Sequence, residues 1–405
     1  MKSSKHADEA EKLLLAMARG LHAVGIPSHR LEETLNDAAE KLGVPLTVLA
    51  MPTAVILSLD GATGPRNHIL RMRPGGVNLE RLSQLSAVAK DVIRGSLAPA
   101  LATQRIQSIL HQPDRWRWPA TVSAYVLSGG AFAVFFRGGW NETIVAMVEG
   151  LVVGLLALLM HRGRTVTRIF ELVAAAAAAL VAGLADTFIG SFVEWVPLAA
   201  GLIILLPGIA LVDAVEELAH GHLVSGGARL AGVGVVFLAL TFGAVAGSVL
   251  AKVLPGPTAA VSTTPLPDWA VVVALVAVTV GSTIRFRAYP ADLGVVFLAS
   301  TLALSASRFA SEQIGALAGP FLAALALGLG ANAYARLRGQ AAERFTIPGL
   351  AVLVPGSVGL RSVGALLSHD SNEGVDAAFQ MFLIAMALVA GLLFSNALLR
   401  DAPGD

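Results

Sequence analysis

Two proline–glycine pairs follow similar apolar runs in the sequence. Pro207 and Gly208 follow the run GLIILL, and Pro355 and Gly356 follow the similar run GLAVLV. Proline removes a backbone donor and glycine relaxes the backbone, so each pair predicts a broken helix with free carbonyl and N–H groups. At membrane depth such groups are tolerated only around a cavity. The pairs therefore predict a polar site between interrupted helices, and the alternative is that each pair only kinks a continuous helix.

Ionisable side chains follow both pairs. Asp213 and Glu217 come within about three helical turns of the first pair, and Arg361 comes within about two turns of the second. An α-amino acid carries an ammonium and a carboxylate, so an acid in one half and an arginine in the other could hold its two ends. Glu216 also follows the first pair, and the alternative places Glu216 and Glu217 at the cytoplasmic membrane interface. The predicted substrate-binding residues are Pro207, Gly208, Asp213, Pro355, Gly356, Arg361 and Asn332.

Acids inside the apolar segments are candidates for proton coupling. An ionisable group is costly to bury in a membrane, so its presence there indicates a functional role. Asp213 ranks first, since it follows Gly208 closely enough to face a cavity. Asp292 ranks second and Glu149 third, and Glu217 completes the set. Near the end of a span, snorkelling of the side chain to the interface is the alternative.

The composition separates two regions. Over the 405 residues 55% are hydrophobic and 14% are charged, against roughly 25% charged in soluble domains. Residues 1–118 hold five of the six lysines. A net charge of +1 argues against a nucleic-acid partner. The absence of cysteine excludes disulfides, iron–sulfur clusters and thiol nucleophiles, and with no cofactor motif we expect neither a cofactor nor a metal.

The polar region is predicted to be a small α+β domain, residues 1–118. Ser28 is a plausible N-cap for its second helix. No secretory signal precedes it, because the first apolar run is too short, so we expect it in the cytoplasm. Its titratable candidates match no catalytic motif and are interpreted as solvated or turn residues: His22, His29, Asp60, His68 and His111. The predicted helices cover 7–24, 28–42, 78–93 and 97–110, and the predicted strands cover 46–50, 53–59 and 68–72.

Ten apolar segments of spanning length follow. They are Pro119–Phe136, Thr143–Met160, Ile169–Ile189, Pro197–Ala219, Leu230–Val253, Trp269–Ile284, Ala291–Ser307, Ile314–Arg336, Ile347–Leu367 and Ala377–Leu399. If the N-terminus is cytoplasmic, the inside loops and the C-terminal end carry ten arginines and the outside loops carry three basic residues. Cytoplasmic loops are enriched in Lys and Arg, so both termini are predicted in the cytoplasm.

The two proline–glycine runs lie 148 residues apart, and the same offset superposes the second span on the seventh and the fifth on the tenth. A five-span unit that is repeated must insert its second copy upside down. The predicted fold class is therefore an all-α polytopic membrane protein with about ten transmembrane helices in two inverted five-helix repeats, residues 119–254 and 255–405, behind the small N-terminal α+β domain. This plan is typical of secondary transporters.

Several motifs together resemble those of the bacterial threonine/serine exporter family. They are GIPSHRLE at 25–32, RMRPGGVNL at 71–79 and LPG at 206–208 leading to GHLVSG at 221–226. The resemblance covers the chain from about Ala10 to Leu399. It implies export of threonine and serine across the bacterial inner membrane, driven by the proton motive force. The expected partners are a small amino-acid substrate, protons and the lipid bilayer. Whether the chain forms a homo-oligomer is left open. A membrane-embedded hydrolase and a passive channel are the alternatives.

Overall fold

The computed structural model describes residues 2–61, 64–72, 75–160, 169–189, 192–253, 264–353, 356–367 and 371–400. The polar region contains helices α1 (Lys2–Ala23), α2 (Ser28–Leu42), α3 (Leu79–Ile93) and α4 (Pro99–His111). Between α2 and α3 lie strands β1 (Leu46–Met51), β2 (Ala54–Gly61) and β3 (Gly64–Arg71), which form one antiparallel sheet in the order β1-β2-β3. The predicted small sheet among helices is confirmed.

The apolar faces of these elements build one core. Leu31 and Leu35 of α2 are fully buried, as are Leu13 of α1 and Leu57 of β2. Gly43 ends α2 with a φ of 69°, where a side chain would be strained. The N-cap expected at Ser28 is wrong, because α2 begins at Ser28 itself and that side chain bonds elsewhere.

Eight helical stretches of the described chain are long and apolar enough to cross a membrane. They are formed by α5 (Trp118–Phe135), α6 (Trp140–Met160), α7 (Phe170–Ile189), α10 (Leu223–Ala251), α12 (Leu293–Gln313), α13 (Ala318–Arg338), α14 (Glu343–Leu353) together with α15 (Gly356–Leu367), and α16 (Ser371–Arg400). Helix α11 (Trp269–Arg285) is apolar but has 17 residues, the lower limit for a span. The eight stretches exclude α11 and the short pair α8 (Trp195–Gly201) and α9 (Gly208–Ala219).

The chain leaves the helical conformation at both proline–glycine pairs. Helix α8 ends at Gly201, residues 202–206 form turns, and α9 begins at Gly208. Helix α14 ends at Leu353 and α15 begins at Gly356, with Pro355 outside the described residues. The first interruption lasts several residues, so it is a break in the helix and not only a kink.

Small residues bring two pairs of helices into backbone contact. A Cβ added at Gly247 of α10 would overlap the backbone of Ala176 in α7, and one added at Gly391 of α16 would overlap the backbone of Phe321 in α13. Membrane helices associate without a hydrophobic driving force, and glycine lets their backbones approach closely enough for van der Waals packing. The same kind of contact thus joins α7 to α10 and α13 to α16.

Candidate functional site

A cavity of about 210 Å³ lies where the two helix breaks meet. Residues 203–210 around the first break form much of its wall, and Gly356 from the second break faces it as well. The two breaks are in direct contact, because a Cβ added at Gly356 would lie 2.8 Å from Cβ of Leu206. Helix α5 adds Ser128 and Phe132, helix α11 and its C-cap add Ser282, Arg285 and Phe286, and α14 adds Ala351.

Two helix N-termini face this cavity. Helix α9 starts at Gly208 and helix α15 starts at Gly356, and both glycines line the wall. The first N–H groups of a helix have no partner inside the helix and carry partial positive charge. Within the described residues no side chain caps α9, whose N-cap is Pro207. The N–H of Gly208 donates to the carbonyl oxygen of Leu206 at 2.8 Å, whereas those of Ile209 and Ala210 have no backbone acceptor among the described residues and can serve a carboxylate.

Arg285 supplies a full positive charge at the same wall. It is the one charged residue among the described residues that line the cavity. Its Nη2 donates a hydrogen bond of 2.6 Å to the carbonyl oxygen of Ile204, inside the first break. A guanidinium has five N–H donors, so this bond leaves others for a ligand. In the sequence Arg285 is one of the ten arginines of the predicted inside loops and C-terminal end, and no local pattern distinguishes it from the others.

Acceptors and hydroxyl groups complete the cavity wall. Ser128 and Ser282 are almost fully buried and line the cavity from α5 and α11. In the described part of the chain, the carbonyl groups of Ile203 and Leu205 accept no backbone hydrogen bond. Carbonyl and hydroxyl oxygens are acceptors that suit an ammonium group. The cavity can therefore offer hydrogen-bond partners to the carboxylate, the ammonium group and the hydroxyl of a small amino acid.

The structure brings together only some of the residues predicted to bind substrate. Pro207, Gly208 and Gly356 line the cavity. Pro355 lies outside the described residues. Asn332 does not line the described wall, and its Nδ2 donates to Oδ1 of Asn396 at 3.1 Å, between α13 and α16.

The predicted acid and arginine each have a different ionic partner. An oxygen of Asp213 lies 3.9 Å from Nη1 of Arg229. Nη2 of Arg361 lies 3.4 Å from Oε1 of Glu373, and its guanidinium stacks over the ring of Trp195 at 5.5 Å from the centroid. Neither Asp213 nor Arg361 is among the described lining residues of the cavity. In this conformation Asp213 and Arg361 are therefore not placed to bind the two ends of one substrate, contrary to the prediction from the sequence.

The candidate proton-coupling acids differ in their surroundings. Glu149 of α6 has no exposed surface, and neither of its carboxylate oxygens has a hydrogen-bond partner among the described residues. It lies against Gly201, the last residue of α8, where an added Cβ would overlap its carboxylate. Asp292 is nearly buried and pairs with Nη1 of Arg344 at 3.1 Å. Glu149 is therefore the acid that has no cation beside it.

Glu217 connects α9 to the N-terminal domain. It is fully buried and accepts hydrogen bonds from the backbone N–H of Ser28 at 2.9 Å, from Oγ of Ser225 at 2.8 Å and from Nη2 of Arg229 at 2.8 Å. Oγ of Ser28 also contacts Oγ of Ser225 at 2.6 Å. These hydrogen bonds stabilise a charged carboxylate at Glu217. They also connect the first turn of α2 to the last turns of α9.

The first turn of α2 reaches the second broken helix as well. Arg30 forms an ion pair with Glu343, the first residue of α14. The guanidinium of Arg344 donates to Oγ of Ser83 in α3 at 2.7 Å. The N-terminal domain is thus bonded to α9 and to α14, one helix from each interrupted stretch.

Two histidines that were expected to be solvated are not. His22 is 8% exposed and its Nε2 lies 3.2 Å from the carbonyl oxygen of Met51. The side chain of His29 is 11% exposed and lies at the contact with α9. Tertiary packing buries both rings, because the first faces the domain core and the second faces the membrane region. His111 and Asp60 are exposed, as expected.

Comparison with known proteins identifies relatives over nearly the whole chain. A family model of threonine/serine exporters, ThrE, matches residues 12–251, and a second model, described as Threonine/Serine exporter, ThrE, matches residues 269–398. No solved structure matches the chain.

Curated relatives include pheromone-regulated membrane protein 10 of two yeasts. The protein of Zygosaccharomyces rouxii is 25% identical over 388 residues, which cover 91% of this chain and 39% of the relative. The protein of Saccharomyces cerevisiae strain YJM789 is 26% identical, with 91% of this chain and 49% of the relative covered. An uncharacterised Schizosaccharomyces pombe protein is 26% identical, with 89% and 49% covered. The chain spans about half or less of the length of these relatives.

Proposed function

Because the chain belongs to the threonine/serine exporter family, we propose that it is a secondary transporter that exports threonine and serine, driven by the proton motive force. The observation that carries this proposal is the cavity at which both helix breaks meet. Interrupted helices around one site are the means by which many secondary transporters bind substrates in the membrane. The motif resemblance favours the bacterial inner membrane as the location.

The substrate binds with its carboxylate toward the two half-helix N-termini and Arg285. A charge-assisted hydrogen bond to a carboxylate is worth about 1.5–3 kcal/mol, roughly twice a neutral one. The ammonium group then meets the carbonyl groups of Ile203 and Leu205. The side-chain hydroxyl of threonine or serine reaches Ser128 or Ser282. An amino acid without a hydroxyl leaves those buried hydroxyls without a partner, which favours the hydroxylated substrates.

Glu149 carries the proton. Burial of a carboxylate without a partner costs several kcal/mol, so the occluded side chain holds a proton and releases it when water reaches it. Asp213 and Glu217 share Arg229, and Asp292 has Arg344. Protonation of those acids would break an ion pair, whereas protonation of Glu149 breaks none among the described residues.

The proposed architecture is ten spans in two inverted five-helix repeats, 119–254 and 255–405, behind an N-terminal domain of residues 1–118. The divided α8–α9 stretch and the short α11 supply the two spans beyond the eight long ones. The matching contacts of α7 with α10 and of α13 with α16 support the repeat. The excess of arginine in alternate loops supports cytoplasmic N- and C-termini.

Substrate protection of an introduced cysteine tests the location of the site. The chain has no cysteine, so Ser282→Cys introduces a single thiol into the cavity wall. At ten times the threonine Kd, about nine-tenths of the sites are filled, so a thiol reagent should modify this cysteine about tenfold more slowly. Leucine should protect poorly. Ser96→Cys, on the exposed surface of the N-terminal domain, is the control and should show no protection.

Threonine that leaves the modification rate at Ser282→Cys unchanged would place the substrate elsewhere. Protection by leucine equal to that by threonine would remove the role of the serine hydroxyls and leave a general amino-acid site.

A further inference from the structure

Three metal-ligating side chains meet where the N-terminal domain contacts the end of α9. His29 comes from the first turn of α2, and Glu216 and His220 come from the last turn of α9 and its C-cap. One nitrogen of each histidine and one carboxylate oxygen of Glu216 all lie within 4.8 Å of one another. Nε2 of His29 is 3.5 Å from Oε1 of Glu216. The two elements that supply these ligands are separated by almost 190 residues of sequence, so only the fold reveals the cluster.

The donor set matches zinc. Zinc prefers imidazole nitrogen and carboxylate oxygen at about 2.0–2.2 Å in tetrahedral geometry, which places neighbouring ligand atoms about 3.3 Å apart. The contact between His29 and Glu216 is already close to that separation. Two histidines and one glutamate leave a fourth position for water, a ligand set that zinc sites in proteins use.

The histidine nitrogens are available to an ion. Nε2 of His29 lies 3.5 Å from Oε1 of Glu216 and is the ligand atom of that ring, and the other nitrogen, Nδ1, is buried and has no hydrogen-bond partner among the described residues. Nδ1 of His220 contacts the carbonyl oxygen of Glu216 at 2.8 Å. That contact leaves Nε2 of His220 as its ligand atom, and in many metal sites the second ring nitrogen likewise contacts a backbone carbonyl.

We propose that His29, Glu216 and His220 bind one divalent transition-metal ion, with zinc as the best match, and that the ion fastens the N-terminal domain to the half-helix α9. The rings of His29 and His220 are stacked, with centroids 4.4 Å apart and planes 5° from parallel. A metal lies in the plane of each imidazole that binds it, so one ring turns when the ion enters. His220 is the ring that turns, because it lies at the exposed end of α9.

If the chain is the transporter proposed above, on which this step rests, a metal at this site would also affect substrate exchange. Helix α9 begins at Gly208 in the cavity wall and ends at the metal ligands. An ion that joins α2 to the end of α9 restricts the movement of the half-helix that carries one N-terminus of the substrate site. Zinc at the cytoplasmic contact would therefore slow exchange of substrate across the cavity.

The test measures zinc binding by the full chain, purified in detergent with a tag that lacks histidine and stripped with a chelator. A competing zinc indicator should report one ion per chain. His220→Gln, His29→Gln and Glu216→Gln should each weaken binding at least about tenfold, a loss typical of altered metal sites. His111→Gln, on an exposed helix end outside the cluster, is the matched control and should bind as the wild type does.

A second measurement separates coordination from general effects on the fold. Cobalt in place of zinc should give the visible absorption of a tetrahedral site, and His220→Gln, which alters an exposed side chain, should remove it while threonine exchange without metal is retained. Absence of stoichiometric zinc binding by the wild type would overturn the proposal. Equal affinity in the wild type and in His220→Gln would do the same, and would leave the cluster as an ordinary packing and ion-pair contact.

Discussion

Replacement of Arg285 by glutamine tests the substrate site through the cation that lines its described wall. The wild-type guanidinium donates a hydrogen bond to the carbonyl oxygen of Ile204 and lines the cavity that α9 and α15 also line. If the substrate carboxylate receives a charge-assisted hydrogen bond worth about 1.5–3 kcal/mol, its loss should raise the KM for threonine about ten- to a hundredfold. Arg285→Lys keeps the charge but loses the planar fork, so its KM should lie between those of the wild type and Arg285→Gln.

The assay is exchange of labelled threonine in proteoliposomes, with KM and maximal rate determined separately. Arg287→Gln is the matched control, because Arg287 follows two residues later but pairs with Asp114 of the N-terminal domain and does not line the described cavity. Its KM should stay close to that of the wild type. A KM that is unchanged in Arg285→Gln, or that rises equally in Arg287→Gln, would refute the proposed role of this arginine.

The other predictions concern the proton, the cavity and the domain contact. Glu149→Gln should lose threonine accumulation driven by a pH gradient and keep threonine exchange, because a glutamine side chain cannot release a proton. Loss of accumulation in Asp213→Asn but not in Glu149→Gln would assign the proton to Asp213 instead. Gly356→Leu should abolish exchange without loss of insertion, since its side chain enters the contact between the breaks, and Gly294→Leu, which points into open space, should have little effect. Burial lowers the pKa of His22 from 6.5, so the unfolded state binds the extra proton and the N-terminal domain should lose stability as the pH falls below about 6.5. Hydrogen exchange in α1 at pH 7 and pH 5.5 measures this, and His22→Gln should flatten the difference.

Local chemistry accounts for what the sequence could predict. A proline followed by glycine favours an interruption of a helix, and the break before Gly208 follows that preference, although Pro348 and Gly349 lie within α14 without ending it. Apolar length and periodicity likewise locate the long helices and the elements of the N-terminal domain. These features depend on residues that are neighbours in the chain.

Contacts between distant elements could not be predicted in the same way. Ser28 has the residue type of a helix cap, yet its backbone N–H and its Oγ bond to Glu217 and Ser225, almost 200 residues away. Arg361 is close in sequence to the second break, but its helix carries it to Glu373 instead. Arg285 reaches the cavity only because α11 packs against α5 and beside both breaks. Which face of a helix meets which neighbour is a tertiary property, and a single sequence does not encode it in a readable pattern.

Threonine flux with and without a proton gradient tests whether export is driven by protons. Purified chain in proteoliposomes is given equal threonine on both sides, and an inward- or outward-directed pH gradient is then imposed. Proton-driven export should give net threonine movement against its own gradient, opposite in direction to the proton flow and abolished by a protonophore. Threonine that only equilibrates, at a rate independent of the pH gradient, would contradict proton-driven export and would identify a passive pathway.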